Sequence, residues 1–363
     1  MKFMDTYLHR GAFLLLLLFQ SLNIYSQSFS EPPGTTLTGL KNGSAAWGDY
    51  DNDGDLDLLI TGENISSQKL SQVYKCNSDK TFTLQSDITL AGVQAGKGEW
   101  GDYDNDGDLD ILISGNYGST TICKLYKNKG SNNFEEQSGI VFPGIAYGAT
   151  EFGDYDNDGD IDILIIGYSL NYGSVAKVFR NNGDNSFTEV SSVSLTAISY
   201  GSGSWGDYDN DGDLDLLISG LAGVQTTKIY KNNGDNTFTE QTGILLQGVT
   251  YGTSEWGDYD NDGDLDILLA GIGASSTRYA KIYRNEGNNS FSEVTGLSLP
   301  GVQNGSASWG DFNNDGFADI LINGFAAPAI TKIFQNNGNN TFSERTDITL
   351  TGIEGTSAWG DYD

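Results

Sequence analysis

Short apolar runs separated by turn-forming residues make up most of the chain, and their order repeats. In one representative stretch a Trp-Gly pair ends a first short run, Ser254–Gly257, and an aspartate-rich segment follows it. The next run, LDILLAG (Leu265–Gly271), is apolar enough to be a strand buried on both faces. AKIYRN (Ala280–Asn285) alternates like a half-buried strand, and an Asn-rich turn separates it from SFSEV. The pattern predicts four short strands, without sustained helical periodicity.

The four-strand pattern recurs about every fifty residues. Its aspartate motif starts at residues 47, 100, 152, 205, 256 and 309, and a partial copy starts at 359. A period of this size is typical of stacked repeat folds, and four antiparallel strands per repeat describe a β-propeller blade. A nonapeptide β-roll has too short a period, and a β-helix coil lacks such hairpins. The sequence therefore predicts an all-β propeller with six complete repeats, from Gly34 to Asp347.

The seventh copy, ITLTGIEGTSAWGDYD, reaches Asp363 inside its aspartate loop. Because a natural terminus rarely falls between two ligands of a metal loop, we expect that the chain is a fragment or that its reading frame was cut short. An incomplete blade is also expected to leave an exposed sheet edge.

The N-terminal segment has the pattern of a secretory signal peptide. Lys2 and Arg10 precede the apolar run Ala12–Phe19, and small or polar residues follow. We predict a signal peptide at residues 1–27 and the propeller at residues 28–363, with a hydrophobic anchor as the alternative for the first segment. The apolar run is shorter than the ~20 residues of a membrane span, and no other stretch is long enough. Cleavage would remove His9, the single histidine, which excludes Ser-His-Asp and Cys-His mechanisms.

Charge is concentrated in the motif. The formal net charge is -30, with 49 acidic and 19 basic residues. The motif copies contain 30 of the acidic residues, so the rest of the chain is electrically balanced. Local acidity favours metal sites over an acidic tail, and the missing basic footprint excludes nucleic acid as a partner. Cys76 and Cys123 could form a disulfide in an oxidising compartment, but their positions in the repeats do not match.

The aspartate motif has the spacing of a calcium loop. With Asp49 as position 1, carboxylates stand at positions 1, 3, 5 and 9, a glycine at 6 and a backbone carbonyl at 7. Hard oxygen ligands at this number suit Ca²⁺ better than Mg²⁺. We expect about six structural Ca²⁺ ions. The predicted metal-site residues are Asp49, Asp51, Asp53, Asp55 and Asp57; Asp102, Asp104, Asp106, Asp108 and Asp110; Asp154, Asp156, Asp158, Asp160 and Asp162; Asp207, Asp209, Asp211, Asp213 and Asp215; Asp258, Asp260, Asp262, Asp264 and Asp266; and Asp311, Asn313, Asp315, Phe317 and Asp319.

The alternative to a metal site is that these residues only form turns. Asp-Asn-Asp-Gly is a common turn sequence, although a turn needs fewer carboxylates than these loops have. Unpaired carboxylates about 4 Å apart repel by ~1 kcal/mol in water and up to ~4 kcal/mol at a partly buried site. In the sixth loop Asn313 replaces a charged ligand and Phe317 offers only its carbonyl, so weaker binding is expected there.

The repeat of about fifty residues with D-x-D-x-D-G-x-x-D between its first two strands resembles the FG-GAP/VCBS repeats, which also build the propeller of integrin α-chains. The resemblance extends over nearly everything after Thr35. It implies a calcium-binding propeller with seven blades. The family also includes lectins and propeller-bearing polysaccharide-degrading enzymes, so it does not select one function.

Recognition is expected on the face opposite the aspartate loops. In an antiparallel blade the loops between strands 2 and 3 lie on that face, and here they differ in length and chemistry from repeat to repeat. The candidate ligand-binding residues in them are Tyr117, Tyr168, Tyr172, Arg278 and Tyr279. Tyrosine offers a stacking face and a polar tip, which suit sugars or peptides. The motif tryptophans are expected to pack between blades.

Two classes of function follow from these residues. The first is a secreted or surface binding and adhesion module for an extracellular glycan or protein, with no catalytic residues. The alternative is a polysaccharide lyase or hydrolase that acts through Tyr, Lys or a carboxylate pair, but no such pair stands out in the variable loops. A scaffold for a missing C-terminal domain is a further possibility.

Overall fold

The computed structural model describes residues 36–361, and this part of the chain forms 24 strands in six four-stranded antiparallel sheets. Each sheet takes four consecutive strands in chain order, which confirms the predicted blades. Blade 1 contains β1 (Ala45–Gly48), β2 (Asp57–Glu63), β3 (Lys69–Cys76) and β4 (Phe82–Leu84); blade 2 contains β5 (Gly98–Gly101), β6 (Asp110–Tyr117), β7 (Thr120–Asn128) and β8 (Phe134–Glu136); blade 3 contains β9 (Ala146–Gly153), β10 (Asp162–Ser169), β11 (Gly173–Asn181) and β12 (Phe187–Glu189). Blade 4 contains β13 (Ser199–Gly206), β14 (Asp215–Leu221), β15 (Gln225–Asn232) and β16 (Phe238–Glu240); blade 5 contains β17 (Ser254–Gly257), β18 (Asp266–Ile272), β19 (Arg278–Asn285) and β20 (Phe291–Glu293); blade 6 contains β21 (Gln303–Gly310), β22 (Asp319–Phe325), β23 (Ala329–Asn336) and β24 (Phe342–Glu344).

The strands predicted for the repeat that begins at Ser254 agree with blade 5 to within two residues. The second strand, β18, is buried along almost its whole length, as its continuous apolar sequence requires. A short 3-10 turn, Ala274–Ser276, lies in the following loop and is the one helical element in residues 36–361. No helix in the described part is long and apolar enough to cross a membrane.

The hydrophobic core lies between neighbouring blades. Leu217 of β14 and Ile267 of β18 belong to one buried cluster, so the facing sides of two sheets interlock. A single four-stranded sheet could not cover both faces of its own second strand. Each blade is therefore stable only beside its neighbours.

The Trp-Gly pair forms the closest contact between blades. A Cβ atom on Gly206 would lie only 2.6 Å from Cδ1 of Trp256 in the next blade. The Trp256 ring also stacks on Tyr208, with centroids 5.8 Å apart and planes 6° apart. The same arrangement recurs around the ring, with Phe152 replacing tryptophan in blade 3. The inter-blade role predicted for the tryptophans is confirmed.

The seventh copy has no strand in residues 345–361, yet it packs in register with the other six. Trp359 stacks on Phe312 at a centroid distance of 6.5 Å, and a Cβ atom on Gly360 would lie 2.7 Å from Cδ1 of Trp47. This segment therefore stands between blade 6 and blade 1 and continues the same sequence of contacts.

Cys76 and Cys123 are buried free thiols in different blades, so the disulfide that the sequence left open is not formed. The predicted signal peptide at residues 1–27 lies outside the described residues.

We expect Gly206→Ala to destabilise the fold by about 1–3 kcal/mol, because the added methyl group collides with a Trp256 ring that its neighbours hold in place. Gly243→Ala is the matched control, since a Cβ atom there meets nothing within 4 Å. Urea denaturation of both variants measures the difference. Equal stability of the two variants would show that the close approach is not a constraint.

Candidate functional site

Each aspartate loop is a hairpin connection held by its own carboxylates. In blade 1 the carboxylate of Asp49 accepts hydrogen bonds from the backbone N–H groups of Asp53 at 3.0 Å and Gly54 at 2.9 Å. Gly54 has φ +92°, the left-handed conformation that glycine adopts without a steric penalty. The equivalent bonds to the first aspartate recur in all six loops, including that of Asp311. The turn-forming hydrogen bonds that an Asp-Asn-Asp-Gly sequence predicts are therefore present.

The aspartate at position 9 fastens the loop to the sheet. Asp57 is fully buried, and its two carboxylate oxygens accept N–H groups from Tyr50 at 3.2 Å and Cys76 at 2.8 Å. Burial raises the pKa of Asp57 to about 7. This residue joins the first half of the loop to the end of the third strand.

Five loops bring three carboxylates close enough to share one cation, with ligand oxygens within 4.8 Å of one another. The first and fifth loops use positions 1, 3 and 5, and the second, third and fourth use positions 1, 3 and 9. The groups are Asp49, Asp51 and Asp53; Asp102, Asp104 and Asp110; Asp154, Asp156 and Asp162; Asp207, Asp209 and Asp215; and Asp258, Asp260 and Asp262.

One buried oxygen in four of these loops lacks any hydrogen-bond partner among the described residues. It is Oδ1 of the position 3 aspartate in each case, in Asp104, Asp156, Asp209 and Asp260. A buried, unpaired carboxylate oxygen is costly unless a cation compensates it. The recurrence of the same orphaned atom shows that the residues present fit a hard metal ion.

The other oxygen of the same aspartate contacts a basic residue on the third strand. Lys127 contacts Oδ2 of Asp104 and lies 3.0 Å from Asp106, and the guanidinium of Arg284 lies 2.9 Å from both Asp260 and Asp262. The five basic residues are Lys75, Lys127, Arg180, Lys231 and Arg284. Sequence reasoning missed them. The sequence feature that could have found them is a Lys or Arg immediately before the last residue of the third strand in blades 1 to 5.

The sixth loop has neither the charged ligand nor the basic partner. Asn313 donates to Oδ2 of Asp315 at 2.9 Å and accepts the Asp315 N–H at 3.0 Å, and Gln335 stands where the other blades have Lys or Arg. With an amide at position 3, this loop has only two of the three carboxylates that the other loops bring together. Five loops in residues 36–361 therefore form a three-carboxylate group, and the number of ions, expected to be about six, stays a prediction.

The aspartate side chain at position 7 of one loop accepts a hydrogen bond from the asparagine at position 4 of the preceding loop, and it does not join the carboxylate group of its own loop. Asn52 of the first loop, for example, donates to Oδ1 of Asp108 in the second loop at 2.9 Å. Asn105, Asn157 and Asn210 repeat the contact with the following loop. The inter-loop role of this asparagine was not recognised in the sequence.

The five predicted ligand-binding residues lie on the opposite face but on three different blades. Tyr117 and Tyr172 are exposed by 47% and 72%. Tyr168 is exposed by 36% in β10. Arg278 lies 4.8 Å from the Phe325 ring centroid, and Tyr279 packs on the core between blades 4 and 5. The structure does not bring these five side chains together.

A second group of tyrosines lies at the centre of this face. Tyr147 and Tyr200 lie at the starts of β9 and β13, and Tyr251 lies three residues before β17; each is five residues before the motif aromatic. Their ring centroids are 4.8 and 4.7 Å apart. Sequence reasoning missed them, although a Tyr-Gly pair recurs at this fixed offset.

Below the tyrosines, charged residues line a central channel enclosed by the first strands. Lys97 donates to Glu151 at 2.5 Å and lies 2.5 Å from Glu99. Burial raises the pKa of Glu99 to about 8, and burial followed by the charge of Glu151 raises the pKa of Glu255 to about 7.

Comparison with known proteins identifies a repeat family. The family model for the FG-GAP-like repeat matches residues 49–113, 102–165, 154–218, 220–269 and 258–322. No curated protein matches the chain. Among solved structures, a mutant of the Aleuria aurantia lectin in complex with alpha-methyl-L-fucoside is 12% identical, with 87% of this chain and 98% of the lectin covered and a TM-score of 0.48. An exo-beta-1,3-galactanase from Phanerochaete chrysosporium, solved with galactose, is 11% identical, with 86% and 80% covered and a TM-score of 0.38.

We expect Glu255→Gln to change the dependence of stability on pH. A carboxyl whose pKa rises on folding stabilises the fold below its unfolded pKa, and this contribution is lost as pH rises through the folded value of about 7. The variant should match the wild type at pH 4 and exceed it by about 1–3 kcal/mol at pH 8 in urea denaturation. Glu135→Gln, on the surface strand β8, is the control. A difference between Glu255→Gln and wild type that is the same at both pH values would contradict the expectation.

Proposed function

The chain belongs to the FG-GAP-like repeat family, and from this premise we propose that it is a calcium-stabilised recognition module that binds an extracellular glycan or protein. One observation carries the recognition role. Every exposed large aromatic side chain in residues 36–361 is a tyrosine on the face opposite the aspartate loops: Tyr117, Tyr147, Tyr168, Tyr172 and Tyr251. Exposed aromatic side chains concentrated on one face mark interaction sites, because contact between apolar surface and water is unfavourable.

The metal in this proposal is calcium, and its role is structural. The orphaned oxygens of Asp104, Asp156, Asp209 and Asp260 supply the buried ligand in their loops. Calcium accepts such an irregular set of oxygens, whereas magnesium requires a stricter octahedron. Each position 3 carboxylate would bridge the ion and the basic residue of the third strand, which reduces the charge that the ion must neutralise.

We propose that the protein acts outside the cell, as secreted or surface-bound protein, after removal of residues 1–27. This rests on the N-terminal sequence pattern. N-terminal sequencing of the mature protein tests it, and a first residue near Ser28 is expected.

We propose binding in preference to catalysis. An enzymatic role would draw on Glu255, which lines the channel, and on Glu99 beside Lys97, because their raised pKa values suit a general acid. These carboxylates lie among the first strands and not in the variable loops. Release of reducing ends from polysaccharides by the purified protein would support the enzymatic alternative.

Calcium removal is expected to lower the melting temperature, since each site contributes about 2.7 kcal/mol at a calcium concentration 100-fold above its Kd. Calorimetric titration should give five sites, one for each carboxylate cluster. The double variant Asp209→Asn with Lys231→Gln copies the pair found in blade 6, and it should have one site fewer while retaining the fold. A chelator that leaves the melting temperature unchanged would refute the structural role.

Binding is expected to depend on the tyrosine face. Screening of the purified protein against glycan and extracellular-protein arrays should find a ligand whose binding is blocked by a bulky label on that face. The label is attached to a cysteine introduced at Val224, which is 67% exposed in a loop between strands 2 and 3. A label on a cysteine introduced at Asp184, which is exposed in the turn between β11 and β12 on the aspartate face, serves as the control and should leave binding intact. Blocking by the Asp184 label alone would place recognition on the aspartate face.

A further inference from the structure

Seven residues, one from each repeat, surround the mouth of the channel on the tyrosine face. In ring order they are Asn42, Ala95, Tyr147, Tyr200, Tyr251, Asn304 and Glu354. Backbone hydrogen bonds connect neighbours around the mouth, as from the Ala95 N–H to the Asn42 carbonyl at 2.6 Å and from the Tyr147 N–H to the Ala95 carbonyl at 2.6 Å. The depression they enclose has a volume of about 290 Å³.

The backbone at this position is left-handed, which makes tyrosine an unfavourable choice. Tyr147, Tyr200 and Tyr251 have φ between +53° and +55°, and Asn42 and Asn304 have φ +53° and +51°. Asparagine tolerates this conformation, whereas a bulky side chain in it is strained. The register shifts in β9 and β13 show that Tyr147 and Tyr200 lie in β-bulges, which redirect side chains at functional sites. Backbone geometry alone would favour asparagine or glycine in all three blades.

Packing does not account for the three tyrosines either. Tyr147 and Tyr251 are exposed by 41% and 42%, whereas Tyr50 and Tyr208 between the blades are exposed by 2% and 1%. Tyr208 also uses its hydroxyl internally, donating to Asn289 at 2.9 Å. No hydroxyl of the central three makes a hydrogen bond within residues 36–361. A strained backbone conformation at side chains that packing does not require points to a functional role for these tyrosines.

We propose that Tyr147, Tyr200 and Tyr251 form the binding site for one neutral pyranose ring of a glycan; this inference rests on the proposed recognition function. The rings are tilted by 36–37° to one another and form a stepped apolar surface, on which the C–H face of a sugar can stack. The small side chain of Ala95 leaves space beside Tyr147. The volume lies at the lower end for ligand pockets, which suits a single sugar residue.

Polar groups on the other side of the mouth select the ligand's charge. The amide of Asn304 donates to Glu354 at 3.1 Å, and Asn42 offers a second amide for sugar hydroxyls. Glu354 and the channel carboxylates Glu151 and Glu255 face this region with Lys97 as counterion. The resulting negative potential disfavours uronic and sialic acids, so a neutral sugar is expected.

The test is calorimetric titration of wild type and variants with methyl glycosides of glucose, galactose, mannose and N-acetylglucosamine, and with glucuronic acid. Tyr147→Asn, Tyr200→Asn and Tyr251→Asn introduce the residue that blades 1 and 6 carry at this position. Each should weaken the binding of a neutral glycoside by about ten-fold or more. Because asparagine suits the left-handed backbone, thermal stability should be unchanged or higher, which separates lost binding from lost folding.

Val224→Asn, an exposed residue on the same face outside the mouth, is the control and should leave the affinity unchanged. If wild type binds a glycoside and the three tyrosine variants bind it equally well, the central site is refuted while the recognition function stands. Loss of binding in Tyr172→Asn alone would likewise move the site to the outer loops. Preference for glucuronic acid, or for choline used as a cationic probe, would overturn the neutral-sugar assignment. If the wild type binds no glycoside and no protein on an array, the proposed function itself fails.

Discussion

The contact between the motif glycine of one repeat and the motif aromatic of the next determines most of this structure. Where Gly206 meets Trp256, a side chain as small as a methyl group has no room, so the indole of one first strand packs directly on the backbone of the other. Stacking of Tyr208 on the same indole fixes the angle between the blades. Since every repeat uses the same contact, the first strands converge on one axis. The second strands, apolar on both sides, are thereby covered by neighbouring sheets.

This close packing also brings the aspartate loops of neighbouring blades into contact, and each of five loops groups three carboxylates that could hold a metal ion. Adjacent loops lie near enough for Asn52 to reach Asp108, so the loops form a connected belt. Within four of the loops the two oxygens of the position 3 aspartate differ: one oxygen of Asp104 contacts Lys127, and the other has no hydrogen-bond partner among the described residues. In blade 6 both halves of this arrangement are replaced together, as Asn313 and Gln335. The concerted replacement indicates that the carboxylate and the basic residue form one electrostatic unit.

The two faces of the disc differ because the two ends of the first strand meet different requirements. At one end the strand enters a loop that must close a hairpin with its own carboxylates, which leaves little freedom in sequence. At the other end the segment that leads into the strand contains a left-handed residue at the channel mouth, where Asn42, Ala95 and Tyr200 are all accommodated. Variation at this end does not disturb the core. It is therefore the face on which a repeat protein can acquire a specific ligand.

Local patterns in the sequence were sufficient to determine the blades, because period-two alternation, Asn-Gly turns and a fixed repeat act over short distances. Strands such as β18 and the inter-blade role of Trp256 were predictable for that reason. The spacing of the loop aspartates likewise indicated the three-carboxylate groups, although not that Asp57 would accept two backbone N–H groups, one from the loop and one from the third strand. The pairing of Lys127 with Asp104 became visible only with the register of the third strand. Tyr147, Tyr200 and Tyr251 are each about fifty residues apart, and only closure of the ring brings their side chains together. Such contacts depend on the packing of whole blades, which no local pattern encodes.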